Sequence, residues 1–191
     1  MPLSTIQAWP EATTYLTELR DTVRANVRPL LQIPGGAPFS VCREVFCYLD
    51  HLGHLFTGSN QVGQRFTSFL RTVMSTADDG YREWADVIYQ MLRNGSVHEF
   101  APKVLENNQG QLLGWGFYGG PRNDATHGPH LRLRLEAPGL YTLPVSSPCL
   151  LDDLEAAIEV FRTLGIENER VTLWNRAARE LTVPRPFNFP V

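Results

Sequence analysis

The sequence predicts a mainly α protein of the α+β class, a helical bundle with a small antiparallel β-sheet inserted between about residues 104 and 143. Apolar residues recur at helical spacing over 10–100 and again from 150 onward. Between 104 and 143, by contrast, short apolar segments alternate with period two and are bounded by Gly, Asn, Asp and Pro. Composition agrees: 43% hydrophobic and 19% charged residues describe a globular chain rather than a disordered one. A length of 191 residues suffices for one sizeable core, so a single domain over 1–191 is expected, its helical core spanning 10–100 and 150–181.

The first helix is expected from about Pro10 to Leu31, with Leu16, Leu19, Val23, Val27, Leu30 and Leu31 as its apolar stripe. Proline suits a first helical turn, and Pro34-Gly35-Gly36 ends the pattern. A second helix runs from Ser40, as N-cap, to Phe56 and buries Val41, Val45, Tyr48, Leu49, Leu52 and Phe56. After the turn Gly58-Ser59-Asn60, a third spans Val62–Met74 on Phe66, Phe69, Leu70 and Val73. Asp78-Asp79-Gly80 then precedes the apolar helix Trp84–Leu92, which leads into Arg93.

Strand segments follow at Val104-Leu105, Leu112–Phe117, Leu131–Leu135 and Leu140–Leu143. The Leu-Arg alternation of 131–135 reads as an antiparallel strand with one wet face. His127-Gly128-Pro129-His130 reads as an exposed turn. A core helix is expected over Leu150–Leu164, a further helical or irregular stretch over Asn168–Leu181, and a proline-rich tail over Pro184–Pro190.

Charge and cysteine usage narrow the function. A net charge of −3 argues against a broad electrostatic platform for nucleic acid but leaves room for a local site that handles one phosphate. Cys42, Cys47 and Cys149 are odd in number and form no CxxC pair, so reduced thiols are expected rather than a disulfide framework. No basic leader or membrane-length apolar run is seen, which leads to the expectation of a cytoplasmic chain with no membrane association. The glycines of 114–120 lack the Lys-Ser/Thr pair and helix start of a phosphate loop, and neither G-x-S-x-G nor HExxH occurs.

Arg93-Asn94-Gly95-Ser96-Val97-His98 brings a guanidinium and an imidazole to one helix end. The first is a permanent cation shaped for phosphate oxygens, and the second moves protons near neutral pH. In a regular α-helix, five residues at about 100° each would hold the two side chains about 140° apart. They can therefore meet if the helix bends or ends at Gly95, or if a second protomer completes the site. Asn94 and His98 are four apart and share a face, so the amide can orient the imidazole. The competing reading is an ordinary helix stop, with Arg93 complementing the dipole and His98 as a cap.

A second stripe, Arg43, Cys47, Asp50 and His54, recurs at four, three and four on the Ser40–Phe56 helix. It can line a groove shared with the motif, Asp50 orienting a histidine, or it can be a solvated or dimer-facing surface. Cys47, His51 and His54 fit no familiar zinc spacing, so no metal and no other cofactor is expected.

The motif resembles the R-x(4–6)-H signature of the HEPN superfamily, in which the position after the arginine is commonly Asn, Asp or His; here it is Asn94. The resemblance covers about Ser4–Lys103, with Leu150–Leu164 supplying a further bundle helix; the strand-rich segment lies outside the minimal HEPN bundle. It implies a four-helix-bundle-like core, a homodimer pairing two motif copies, and often metal-independent endoribonuclease activity. Many such proteins serve toxin–antitoxin or other defence systems, so RNA and an antitoxin are the implied partners. His98 would then move the 2′-hydroxyl proton, Arg93 would stabilise the phosphorane oxygens, and Asn94 would hold the imidazole or the phosphate. The alternative is a non-catalytic HEPN-like domain that binds a nucleotide or a partner protein.

Overall fold

A computed structural model describes residues 5–33, 37–99 and 102–167. The expected stretches Asn168–Leu181 and Pro184–Pro190 lie outside the described residues. The protein is mainly helical, with a small mixed sheet beside the helices. Helix α1 spans Thr5–Val27 and continues as a 3₁₀ turn, Arg28–Gln32. Helix α2 spans Pro38–Thr57, two residues earlier than the expected Ser40 start, because Pro38 occupies the first turn after Ala37. Gly58 closes α2 in the left-handed conformation at φ 65°. Helix α3, Val62–Thr72, passes into a 3₁₀ turn, Met74–Thr76.

The long helix expected through Trp84 is instead a series of short pieces. Helix α4 spans Gly80–Glu83, helix α5 spans Ala85–Val87, and two π-helical segments follow, Ile88–Arg93 and Gly95–Glu99. Helix α6, Ser147–Glu167, returns to the bundle and packs on α1 and α2. Three phenylalanines bind α2, α3 and α6 together: Phe56, Phe69 and Phe161 form a triangle of edge-on rings 5.6–5.8 Å apart. At Gly53 the α2 backbone meets α3 so closely that a Cβ would lie 2.5 Å from the Arg65 carbonyl oxygen.

The expectation of an antiparallel sheet is corrected. Strands β1 (Leu105–Glu106), β2 (Leu112–Tyr118), β5 (Arg134–Ala137) and β6 (Leu140–Ser146) form a mixed sheet in the order β1-β2-β6-β5. Its central pair, β2 and β6, is parallel, with Leu112 opposite Leu140 and Tyr118 opposite Ser146. The β5–β6 hairpin turns at Gly139 (φ 77°) and lays β6 rather than β5 against β2. Strands β3 (Asn123–Asp124) and β4 (Gly128–Pro129) form a separate two-residue ribbon within the connection.

Two expectations for this connection also change. Leu131–Leu133 is not strand: Leu131 takes a positive φ of 54° and turns its side chain into the core. His130 is not an exposed turn residue but is only 1% exposed. Its Nδ1 accepts the Ser146 N–H at 3.0 Å, so its Nε2–H faces the Tyr81 hydroxyl at 3.1 Å. Tyr81 in turn donates to Asp153 on α6 at 2.8 Å. Arg122 bridges Asp153 and Asp78 at 2.5 Å each, and Arg132 reaches Asp78 at 2.9 Å. This fully paired network fastens the sheet connection to the helices. His127, four residues from the ribbon's start, is exposed and pairs with Asp124 at 2.9 Å.

Candidate active site at the π-helical turn

The sequence around Arg93 builds a turn wider than an α-helix. Ile88, Met91, Leu92 and Arg93 are all buried, three of them consecutive. The backbone takes π geometry, the Asn94 N–H reaching back five residues to the Tyr89 carbonyl. Tyr89 is held by Phe66, ring centres 5.7 Å apart, and by Gly63, where a Cβ would lie 3.0 Å from its ring. Downstream, the Lys103 N–H bonds the Met91 carbonyl at 2.9 Å and so anchors the exit of the turn.

The π period removes the geometric obstacle between the two motif residues. Because hydrogen bonds close from i+5 to i, residues five apart lie nearly above one another. Arg93 Nη1 accordingly donates to His98 Nε2 at 2.6 Å, and also to the Asn94 side-chain oxygen at 3.1 Å. Neither a helix break at Gly95 nor a second protomer is needed for this contact.

Asp50, from α2, completes the constellation. Its Oδ2 accepts from Arg93 Nε at 2.9 Å and from Arg93 Nη2. Both side chains are nearly enclosed, 9% exposed for Arg93 and 12% for Asp50, whereas His98 stands exposed at the surface. The guanidinium also lies 6.0 Å from the centre of the Tyr89 ring. A buried carboxylate thus holds a buried cation, and that cation holds an exposed imidazole. Since arginine can only donate, the resting imidazole offers Nε2 as acceptor and carries its proton on Nδ1.

The other sequence candidates have their own partners. Arg43 is half-buried and pairs with Glu44 at 3.2 Å. His54 is buried, its Nδ1–H donating to the Ser59 carbonyl at 3.0 Å just beyond α2. His51 meets the Tyr15 hydroxyl at 2.5 Å; burial, with His54 and Arg65 nearby, holds its pKa below the ordinary value. Burial and the nearby carboxylates of Glu44 and Asp50 raise the Cys47 thiol, against the pull of Arg93 and Arg43, so it is no ready nucleophile. Among the described residues, no three His, Cys, Asp or Glu side chains converge as a metal site would require. No described helix is long and apolar enough to cross a membrane.

Sequence reasoning placed Asp50 beside a histidine, whereas its hydrogen bonds go to Arg93. It missed Arg65, whose Nε lies 3.7 Å from Asp50 Oδ1. Its signal was hidden, since Asp50 lies on the stripe opposite the apolar face of α2 and only the packing of α3 makes it an enclosed carboxylate that needs a cation. Compared with protein-family models, curated proteins and solved structures, the chain matches none.

Proposed function

We propose that this chain is a HEPN-like protein that cleaves RNA without a metal, His98 moving the proton and Arg93 stabilising the phosphate. The observation that supports it most is the 2.6 Å contact between Arg93 Nη1 and His98 Nε2, made at the surface end of a buried ion pair. A cation and a proton-transfer group set this close can serve one phosphodiester. In this reading the phosphate draws the Arg93 N–H groups to itself and frees Nε2. His98 takes the 2′-hydroxyl proton as that oxygen bonds to phosphorus. The P–O5′ bond breaks, and the leaving oxygen collects a proton from the imidazolium or from water. The product end is a 2′,3′-cyclic phosphate. A homodimer bringing two such sites together, with RNA as the shared substrate, belongs to the same proposal.

One observation favours a second reading. Four hydrogen bonds from Arg93, a side chain with five N–H groups, already end on Asp50, Asn94 and His98. Such a residue can equally serve as a structural tie in a non-catalytic domain that binds a nucleotide or a partner protein. Incubating purified protein with labelled RNA in EDTA, beside His98→Ala, separates the two. Cleavage that survives EDTA, disappears in the variant and leaves cyclic phosphate ends supports the nuclease. No cleavage by wild-type protein, or equal cleavage by His98→Ala, overturns it.

A further inference from the structure

Arg93 can turn its Nε–Nη2 edge to a phosphate by releasing Asp50, and the structure places a second cation where the released carboxylate can go. Asp50 is shared unequally. Its Oδ2 takes both bonds from Arg93, while its Oδ1 is buried and has no hydrogen-bond partner. Facing it at 3.7 Å is Arg65 Nε, also buried and also without a hydrogen-bond partner. A donor and an acceptor, both enclosed and both unmatched, stand just beyond bonding distance of each other. The spacing is fixed by the backbone. Gly53, one turn after Asp50, lets the Arg65 segment of α3 approach so closely that no Cβ would fit between them.

We propose that Arg65 is a positioning residue that takes over Asp50 when an oxyanion reaches the site, releasing the Arg93 guanidinium to bind it. Charge is conserved at each stage. At rest, Asp50 is paired with Arg93 and leans on Arg65. With a phosphodiester present, Asp50 pairs with Arg65 while Arg93 pairs with the phosphate, so no carboxylate is left buried and unmatched. The four Arg93 bonds that argue for a structural tie then describe the resting arrangement of a site that opens by partner exchange. Arg65 does not touch substrate in this scheme and acts only through Asp50. The inference rests on the reading of Arg93 as a phosphate-binding group.

The test is a double-mutant cycle between Arg65→Gln and Asp50→Asn, with Arg65→Lys as the charge-conserving control and thermal unfolding of each variant as the folding control. Two quantities are read: the Kd for a 2′-deoxy oligonucleotide that cannot be cleaved, and KM and kcat on the matching RNA. Loss of one charge-assisted bond predicts that Arg65→Gln weakens binding and raises KM by about 10- to 100-fold with little change in kcat. In the Asp50→Asn background the same change should cost under about threefold, since no carboxylate remains to be rehoused. Arg65→Lys should restore most of the affinity. Equal losses in both backgrounds would show Arg65 acting on the phosphate directly and overturn the exchange, as would wild-type affinity in Arg65→Gln. Coupled binding without cleavage would uphold the exchange and remove the nuclease reading. Cleavage without coupling would do the reverse, and a wild-type protein that neither binds nor cleaves would sink both.

Discussion

Replacing Arg93 tests the buried pair before it tests any chemistry. Truncation to alanine leaves the Asp50 carboxylate, 12% exposed, without its two hydrogen bonds from Arg93. Breaking a buried ion pair from one side costs about 3–5 kcal/mol. The nearby Arg65, 3.7 Å from Oδ1, offsets part of that loss and points to the lower end, about 3 kcal/mol. In a chain of this size each kcal/mol moves Tm by about 2–4 °C, so Arg93→Ala should melt about 6–12 °C lower. Removing both partners at once strands neither charge of the pair but takes from Arg65 the carboxylate 3.7 Å away, so Arg93→Met with Asp50→Leu should recover part of the loss, to within about 2 kcal/mol of wild type. Urea unfolding of wild type, both single variants and the pair provides the measurement. A single variant within about 0.5 kcal/mol of wild type, or a pair as unstable as Arg93→Ala, would refute the energetic reasoning. Lost activity in Arg93→Ala therefore cannot be read as catalysis alone; Arg93→Lys, which keeps the charge, is the cleaner probe.

His130 gives the protein a dependence on pH. Burial, with Arg122 beside it, holds this imidazole down to about 3, whereas an unfolded histidine titrates near 6.5. The unfolded chain therefore binds more protons throughout that window. Stability falls as the pH drops from about 6.5 towards 3, at up to about 1.4 kcal/mol per pH unit from this one group. His130→Gln should flatten the slope, and an unchanged slope would remove His130 as its source. Gly53→Ala should cost about 1–3 kcal/mol by forcing α2 and α3 apart, since the added methyl meets backbone rather than a side chain that can move; a neutral result in denaturant unfolding would contradict the close approach.

The regular helices were legible because each buries one stripe. Leu16, Leu19, Val23 and Val27 on α1, and Leu150, Leu151, Leu154, Ile158 and Phe161 on α6, are buried as their spacing requires. The π turn was not legible, because Ile88, Met91 and Leu92 sit at the three- and four-residue spacings that an α-helix buries equally well. The parallel pairing of β2 with β6 was hidden because alternation reports which face is wet and not which strand lies alongside. Leu131-Arg132 imitated a strand with one wet face. In fact Leu131 turns into the core at positive φ and Arg132 reaches Asp78, a partner more than fifty residues away. At the candidate site, sequence brought Asp50, Arg93, Asn94 and His98 into one argument, but not the order in which they hold one another.

The return of α6 to α1 also has a consequence during synthesis. Arg24 and Glu155, joined at 2.5 Å across the bundle, are 131 residues apart in the chain. At translation speeds of about 5–20 residues per second, the wait between these two partners is roughly 7–26 s, long beside the formation of any single helix. Once α3 has been made, and until α6 follows, the Phe56–Phe69 face lacks the helix that supplies Phe161. The nascent chain still lacks this cover when Asp50, Arg93 and His98 have all been made. The bundle therefore closes only once α6 has been made.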